Sequence, residues 1–301
     1  MPSGVDSAIE VRLPYRAPLD LDALLRFLGA RAVPGVEDYA DGVYARSLML
    51  PGGPGVVELS AGDGAVRCVL WLTDERDAGV AIGRCRWLLD LDTDPVEVQD
   101  ALGADPLLGP LVRAAPGLRV PGHVEGAEMA VRAVLGQQIS VPAARTLAGR
   151  LTERYGAALP VPHGRVDRLF PTAAALRAAE AGMPASRLRA LRELAAALDD
   201  GLELHPGVHR AEAERRLLAL PGIGPWTASY LAMRVLRDPD VFLPTDVGVR
   251  HALSRLGRPA DPASATALAA GWRPWRSYAL VHLWHCLGTP PGDAPSARKD
   301  G

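Results

Sequence analysis

Lysine is almost missing from this chain of 301 residues. Lys299 is the only one, and arginine supplies the other basic side chains. Reactions that need a lysine amine, such as Schiff-base formation, therefore have almost nothing to run on. Cysteine is scarce as well. Cys68, Cys85 and Cys286 are odd in number and far apart. That excludes a disulfide framework and the spacings of zinc or iron–sulfur ligands, and buried thiols are expected. No apolar run reaches the length of a membrane span. The opening Met1-Pro2-Ser3-Gly4-Val5-Asp6 lacks the basic-then-apolar pattern of a signal peptide. The expectation is a soluble, cytoplasmic protein without a membrane partner. A strong positive charge is also absent. The net charge of −2 counts mildly against a nucleic-acid partner. An average can hide a patch, however. Arg210, Arg215, Arg216, Arg234, Arg237, Arg250 and Arg255 gather in one stretch, where solvated helix faces are the ordinary reading.

What is present is apolar surface. Hydrophobic residues make up 48% of the chain, enough for a large core and two or three compact units. Residues 8–92 mix strand-like and helical runs. Ala8 to Leu13 alternates apolar and polar residues. Tyr44 to Leu50, Gly55 to Leu59 and Val66 to Leu72 read as strands, separated by Gly-Gly-Pro and Gly-Asp-Gly turns. Leu19 to Leu28 and Ala78 to Leu89 read as helices. This predicts an α+β unit built on an antiparallel sheet. From about Pro95 the pattern is helical nearly throughout. The predicted helices run Val96–Leu102, Pro106–Ala114, Val124–Leu135, Val141–Tyr155, Thr172–Ala178, Ser186–Leu198, Ala211–Leu218, Pro225–Leu236, Val247–Leu256, Pro262–Ala270 and Pro274–Leu287. Two helical domains are expected, one from 126–238 and one from 93–125 with 239–288. Residues 289–301 read as a frayed Pro/Gly/Ala-rich tail.

The densest signal is Leu220 to Arg250, LPGIGPWTASYLAMRVLRDPDVFLPTDVGVR. A two-glycine hairpin opens it, Pro225 suits a first helical position, and one acid, Asp246, follows a Pro-Thr turn. Glycines let the main chain turn tightly and present N–H groups to a phosphate oxygen. The next helix adds its own unpaired N–H groups and the positive end of its dipole. Gly222, Gly224 and Thr227 are the natural donors. The hairpin carbonyls of Leu218, Leu220 and Ile223 are a candidate site for a monovalent cation, Na⁺ or K⁺. Asp246, or Thr245 before it, is a candidate N-cap. The cap role is compatible with a chemical one, because the helix dipole favours the ionised carboxylate. An ionised carboxylate can stabilise an oxocarbenium-like sugar or orient water onto it.

This segment resembles the helix–hairpin–helix DNA glycosylases with a Gly/Pro-rich loop and a catalytic Asp, and narrows to the AlkA-type 3-methyladenine DNA glycosylases. The resemblance extends from about Leu13 to Leu287. It includes PLDLDALLRFLGARAVPGVE from Pro18, YARSL from Tyr44, APGLRVPG from Ala115, AVRAVLGQQISV from Ala130, DVFLPTD from Asp240 and WRPWRSYALVHLW from Trp272. It implies that Asp246 is the catalytic acid and that Phe27, Trp226, Tyr230 and Trp284 surround the base pocket. It implies that Gln138 fills the gap left by the flipped nucleotide, a position that is Leu in some members. Val247 stands where some members carry an aromatic, which leaves the pocket less enclosed there. Trp272, Trp275 and Tyr278 are expected in the core. The implied partner is double-stranded DNA with alkylated bases, handled by a monomer with no metal or other cofactor. An aromatic pocket suits N-alkylated purines, since a cation over an indole face gains about 0.5–2 kcal/mol. Such a base also leaves easily, and flipping it costs about a few kcal/mol.

Two readings compete. A lysine-dependent glycosylase/lyase lacks its amine, and the relatives with a four-cysteine cluster lack their ligands. A hairpin module that only binds DNA would have no use for Asp246 and its aromatic set.

Overall fold

The computed structural model describes residues 8–180 and 182–288. The expected tail at 289–301, with Lys299, lies outside them. The N-terminal unit begins with β1 (Ile9–Leu13) and α1 (Leu21–Ala30). β2 (Glu37–Ala40), β3 (Val43–Leu50), β4 (Gly53–Ala61), β5 (Val66–Leu72) and α2 (Ala78–Leu88) follow. Its sheet is fully antiparallel with strand order β1-β5-β4-β3-β2. Even-numbered positions of β3 (Tyr44, Leu48, Leu50) enter the core beneath α1 and α2, together with Leu59, Leu70 and Cys85. Odd-numbered positions face the other way. Ala45 packs on Leu159 and Val166, and the Ser47 hydroxyl donates to the carbonyl of Arg168 at 2.7 Å.

Helices then dominate. They are α3 (Pro95–Gly103), α4 (Leu108–Ala114), α5 (Gly126–Leu135) and α6 (Val141–Tyr155). After the short hairpin β6 (Ala158–His163) and β7 (Val166–Arg168) come α7 (Ala173–Leu176), α8 (Ala185–Asp199), α9 (Arg210–Leu218), α10 (Pro225–Arg234), α11 (Val247–Arg255), α12 (Pro262–Ala269) and α13 (Arg276–His285). The expected helices are all present, with ends that move by at most two residues. β2, β6 and β7 were not expected. β6 carries Pro160 and Pro162, which suit an edge strand that never has to donate at those positions. The hairpin closes over the sheet, where His163 meets the Trp71 ring at 4.1 Å and the carboxylate of Glu58 at 2.8 Å.

One apolar cluster runs through the helical part. It joins Val131, Leu191 and Leu231 to Leu108, Leu253 and Leu283, so its core is continuous across the two helical domains expected from the sequence. Trp272 and Tyr278 are buried in it, and Trp275 packs against it. Cys68 and Cys85 are buried free thiols, and Cys286 is half-buried. Among the described residues, no helix is long and apolar enough to cross a membrane.

Candidate active site

The hairpin between α9 and α10 has the geometry its glycines promised. Gly222 sits at φ +78°, in the region that favours glycine. A Cβ there would also come within 2.7 Å of the Cβ of Ala190 on α8. Gly224 differs. It is the N-cap of α10 in extended backbone, and an added Cβ would meet no protein atom within 4 Å. Its surroundings leave room for a close approach to the helix N-terminus. The Thr227 side chain is buried, so any contact with a ligand there falls to its main-chain N–H.

Asp246 is the N-cap of α11, as its position after Pro-Thr suggested, and its Oδ1 accepts from the N–H of Val249 at 3.0 Å. Two indoles hold the same carboxylate. Trp284 donates Nε1–H to Oδ1 at 2.8 Å, and Trp226 donates Nε1–H to Oδ2 at 3.2 Å. The carboxylate is buried, with all three donors turned onto it. Oδ1 is spent on two bonds. Oδ2 carries one, from the indole that also lines the neighbouring cavity. Oδ2 is therefore the oxygen open to chemistry.

That cavity has a volume of about 140 Å³. An apolar space on the order of 150 Å³ accepts a benzene-sized ring, so the scale suits one flat aromatic heterocycle. One wall is the Trp226–Tyr230 stack, with ring centres 5.0 Å apart and planes within 10°. These residues are four apart on α10 and so share a face. The opposite wall comes from the N-terminal unit through Phe27, Leu28, Arg31 and Val33. The sheet domain is therefore not a remote scaffold.

The cavity is more cationic than its aromatic residues suggested. The guanidinium carbon of Arg31 lies 3.8 Å from the centre of the Phe27 ring, and that of Arg234 lies 5.3 Å from it. Arg234 was expected on a solvated face. It is buried instead, donating to the carbonyls of Pro121 and Gly122 and to the Tyr230 hydroxyl. Burial holds its pKa below the ordinary arginine value. Arg31 and Arg234 each follow a pocket aromatic by four residues, and that spacing is the sequence signal that could have found them.

A buried ion network forms part of the cavity lining through Glu37, His123 and Arg132. Arg46 of β3 reaches Glu128 of α5 at 2.7 Å and Glu37 of β2 at 3.3 Å, while Arg132 of α5 meets Glu128 at 2.9 Å and Glu37 at 2.8 Å. Burial opposes ionisation of both glutamates. Arg132 and Arg46 outweigh it at Glu37, and Arg46 leads the groups that do so at Glu128, so both carboxyls stay below their ordinary range. Burial pushes His123 down, so its 3.4 Å approach to Glu128 is not an ion pair at neutral pH. Ligand atoms of Glu37, His123 and Glu128 lie within 4.8 Å of one another, close enough to hold a metal ion. Two guanidinium groups already balance the two carboxylates there.

The structure brings Phe27, Trp226 and Tyr230 together on the cavity, and Asp246 adjoins it through Trp226 without lining it. Trp284, expected on the pocket, goes behind the acid instead. α13 packs on α11, so its indole reaches Asp246 from the core side and does not line the cavity. Gln138 is exposed on the loop between α5 and α6 at φ +59°, free to project outward. Its neighbour Gln137, which the sequence did not single out, bonds across to the hairpin.

These features define a class, the helix–hairpin–helix base-excision glycosylases. Residues 131–277 match the model of the HhH-GPD superfamily base excision DNA repair proteins, and residues 10–125 match the AlkA N-terminal domain. DNA-3-methyladenine glycosylase 2 of Escherichia coli is 38% identical over 298 residues, covering 94% of this chain and 99% of that one. A Mycobacterium tuberculosis protein named "Probable bifunctional transcriptional activator/DNA repair enzyme AlkA" is 47% identical over 97% of this chain. The chain spans 60% of that relative's length. The fold is shared with a 3-methyladenine DNA-glycosylase from Archaeoglobus fulgidus, at TM-score 0.78 and 23% identity over 92% of this chain and 97% of that one. The chain belongs to the AlkA family of DNA-3-methyladenine glycosylases.

Proposed function

We propose that this chain is a monofunctional DNA glycosylase of base excision repair that releases alkylated purines from double-stranded DNA. The observation that carries the reading is the carboxylate of Asp246. Two indoles and a helix N-terminus hold it by hydrogen bonds, and one of those indoles, Trp226, also lines a ring-sized cavity. In this reading the hairpin N–H groups of Gly222, Gly224 and Thr227 grip a phosphate, Gln138 enters the stack, and the extruded base lies along Trp226 and Tyr230. Asp246 then stabilises positive charge on the sugar as the glycosidic bond breaks and water adds. The chemistry asks for no redox group or catalytic metal. A monovalent cation at the carbonyls of Leu218, Leu220 and Ile223 would only brace the hairpin. Leu218 closes α9, so its carbonyl is one of the helix's unpaired C-terminal ones. We take the working form to be a monomer.

The arginines on the cavity favour a second substrate group beside the cationic bases, namely neutral damaged purines that offer hydrogen-bond acceptors. The test is single-turnover base release from duplexes with 3-methyladenine, 7-methylguanine, hypoxanthine or ethenoadenine. Asp246→Asn should lose about a hundredfold or more on every base that wild type releases. Borohydride should trap no covalent complex. Full release by Asp246→Asn, or wild-type binding of abasic DNA without any release, would overturn the reading.

A further inference from the structure

We infer that Gln137 is a positioning residue that couples the Gln138 loop to the phosphate-gripping hairpin, so that gap filling and backbone capture occur as one event. The inference rests on the proposed function in taking Gln138 as the gap-filling side chain. The Gln137 side-chain amide donates Nε2–H to the carbonyl of Gly222 at 2.9 Å and to the Thr227 hydroxyl at 3.2 Å. A carbonyl only accepts, so the bond to Gly222 fixes which end of the amide faces the hairpin. One side chain therefore touches the tip of the hairpin and the first turn of α10 together.

The loop is tied from its other side as well. Arg187, in the first turn of α8, donates Nη2–H to the Gln137 carbonyl at 2.5 Å. α8 is also the helix whose Ala190 fits against Gly222. Three separate segments, the α5–α6 loop, α8 and the hairpin, thus converge on Gln137. Gln138 follows at once in a left-handed conformation that a non-glycine residue holds only when its surroundings impose it. The ties on Gln137 supply that imposition. If the hairpin moves onto a phosphate, the strut moves Gln138 with it. If the strut is cut, the hairpin can still grip, but the wedge loses its register with the gap.

This coupling predicts a split between paired and unpaired lesions. Gln137→Ala and the isosteric Gln137→Glu both remove the donor to Gly222. Each should lower single-turnover release of ethenoadenine from a paired duplex by about tenfold, the worth of one or two neutral hydrogen bonds. Release of the same base placed opposite an abasic analogue, where no partner strand resists flipping, should change by less than about threefold. Affinity for a tetrahydrofuran-containing duplex should fall about tenfold, while the melting temperature of Gln137→Glu stays close to wild type. A loss equal on both lesion contexts, or no loss on either, overturns the inference. If wild type released no base but Gln137→Glu still lost its preference for tetrahydrofuran DNA, the strut would stand and the glycosylase reading would fall.

Discussion

At the scale of single residues, the two hairpin glycines look interchangeable in the sequence but do different jobs. Gly222 is required by the protein itself, because its φ of +78° and its 2.7 Å approach to Ala190 both reject a side chain. Gly222→Ala should cost about 1–3 kcal/mol of folding stability, and DNA affinity should fall with it. Gly224 has no such internal reason, since its added Cβ would meet open space. Gly224→Ala should therefore cost no more than the change of cap residue, at most about 1 kcal/mol. Yet its methyl group would stand where a phosphate has to approach. Binding to a tetrahydrofuran duplex should weaken about tenfold or more. Urea unfolding and a binding titration on the two variants separate the cases. Normal binding by Gly224→Ala would remove the phosphate from the helix N-terminus.

At the scale of elements, the pocket depends on how the N-terminal sheet docks on α5. Phe27 on α1 and Arg31 at its C-cap form one wall, and their unit is held by charges that cross between β3 and α5. Arg46 and Glu128 are both buried, and removing one leaves the other charge uncompensated. Arg46→Met should cost about 3–5 kcal/mol, whereas Arg46→Met with Glu128→Leu removes one charge of each sign, leaves the Arg132–Glu37 pair balanced and should cost less. Equal losses for the single and double variants, read from urea midpoints, would show that the charges do not act as a set. This network marks the boundary of what the sequence could tell. The hairpin, the Asp246 cap and the Trp226–Tyr230 face are legible because each is set by residues within a few positions of one another. Arg46 and Glu128 are 82 residues apart, and nothing local marks them as partners. β2 stayed hidden for a related reason. Glu-Asp-Tyr-Ala has little intrinsic strand preference and is a strand only because β3 offers it an edge. Gln137 and Gln138 form a doublet in which only the structure shows that the first faces the hairpin and the second faces solvent.

At the scale of the whole molecule, burial of two neutral histidines ties stability to pH. Burial, helped by neighbouring His285, pushes His282 down to about 4, and burial pushes His123 down as well. Each binds its proton more readily when the chain is unfolded. As pH falls below about 6.5 the unfolded state therefore takes up protons that the folded state refuses, and stability drops. For His282 the loss begins near the ordinary histidine value and is complete once pH passes about 4, a total of about 3 kcal/mol. Asp90 works in the opposite sense. Burial raises its pKa despite hydrogen bonds from Tyr278 and Thr93, so its contribution is largest in acid and fades as pH climbs through the raised value. Glu37 and Glu128 add a further loss that begins near the ordinary glutamate value of about 4.5 and continues into stronger acid, because their folded carboxyls are held below that range. The window from pH 6.5 to 4 thus belongs mainly to the histidines. Urea midpoints measured across it should fall steadily for wild type. His282→Leu should flatten that profile by close to one proton, about 1.4 kcal/mol per pH unit at its steepest. The His282 Nδ1 atom is buried without a hydrogen-bond partner, so its removal should carry little cost at neutral pH. Parallel profiles for wild type and His282→Leu would place the acid sensitivity in another group.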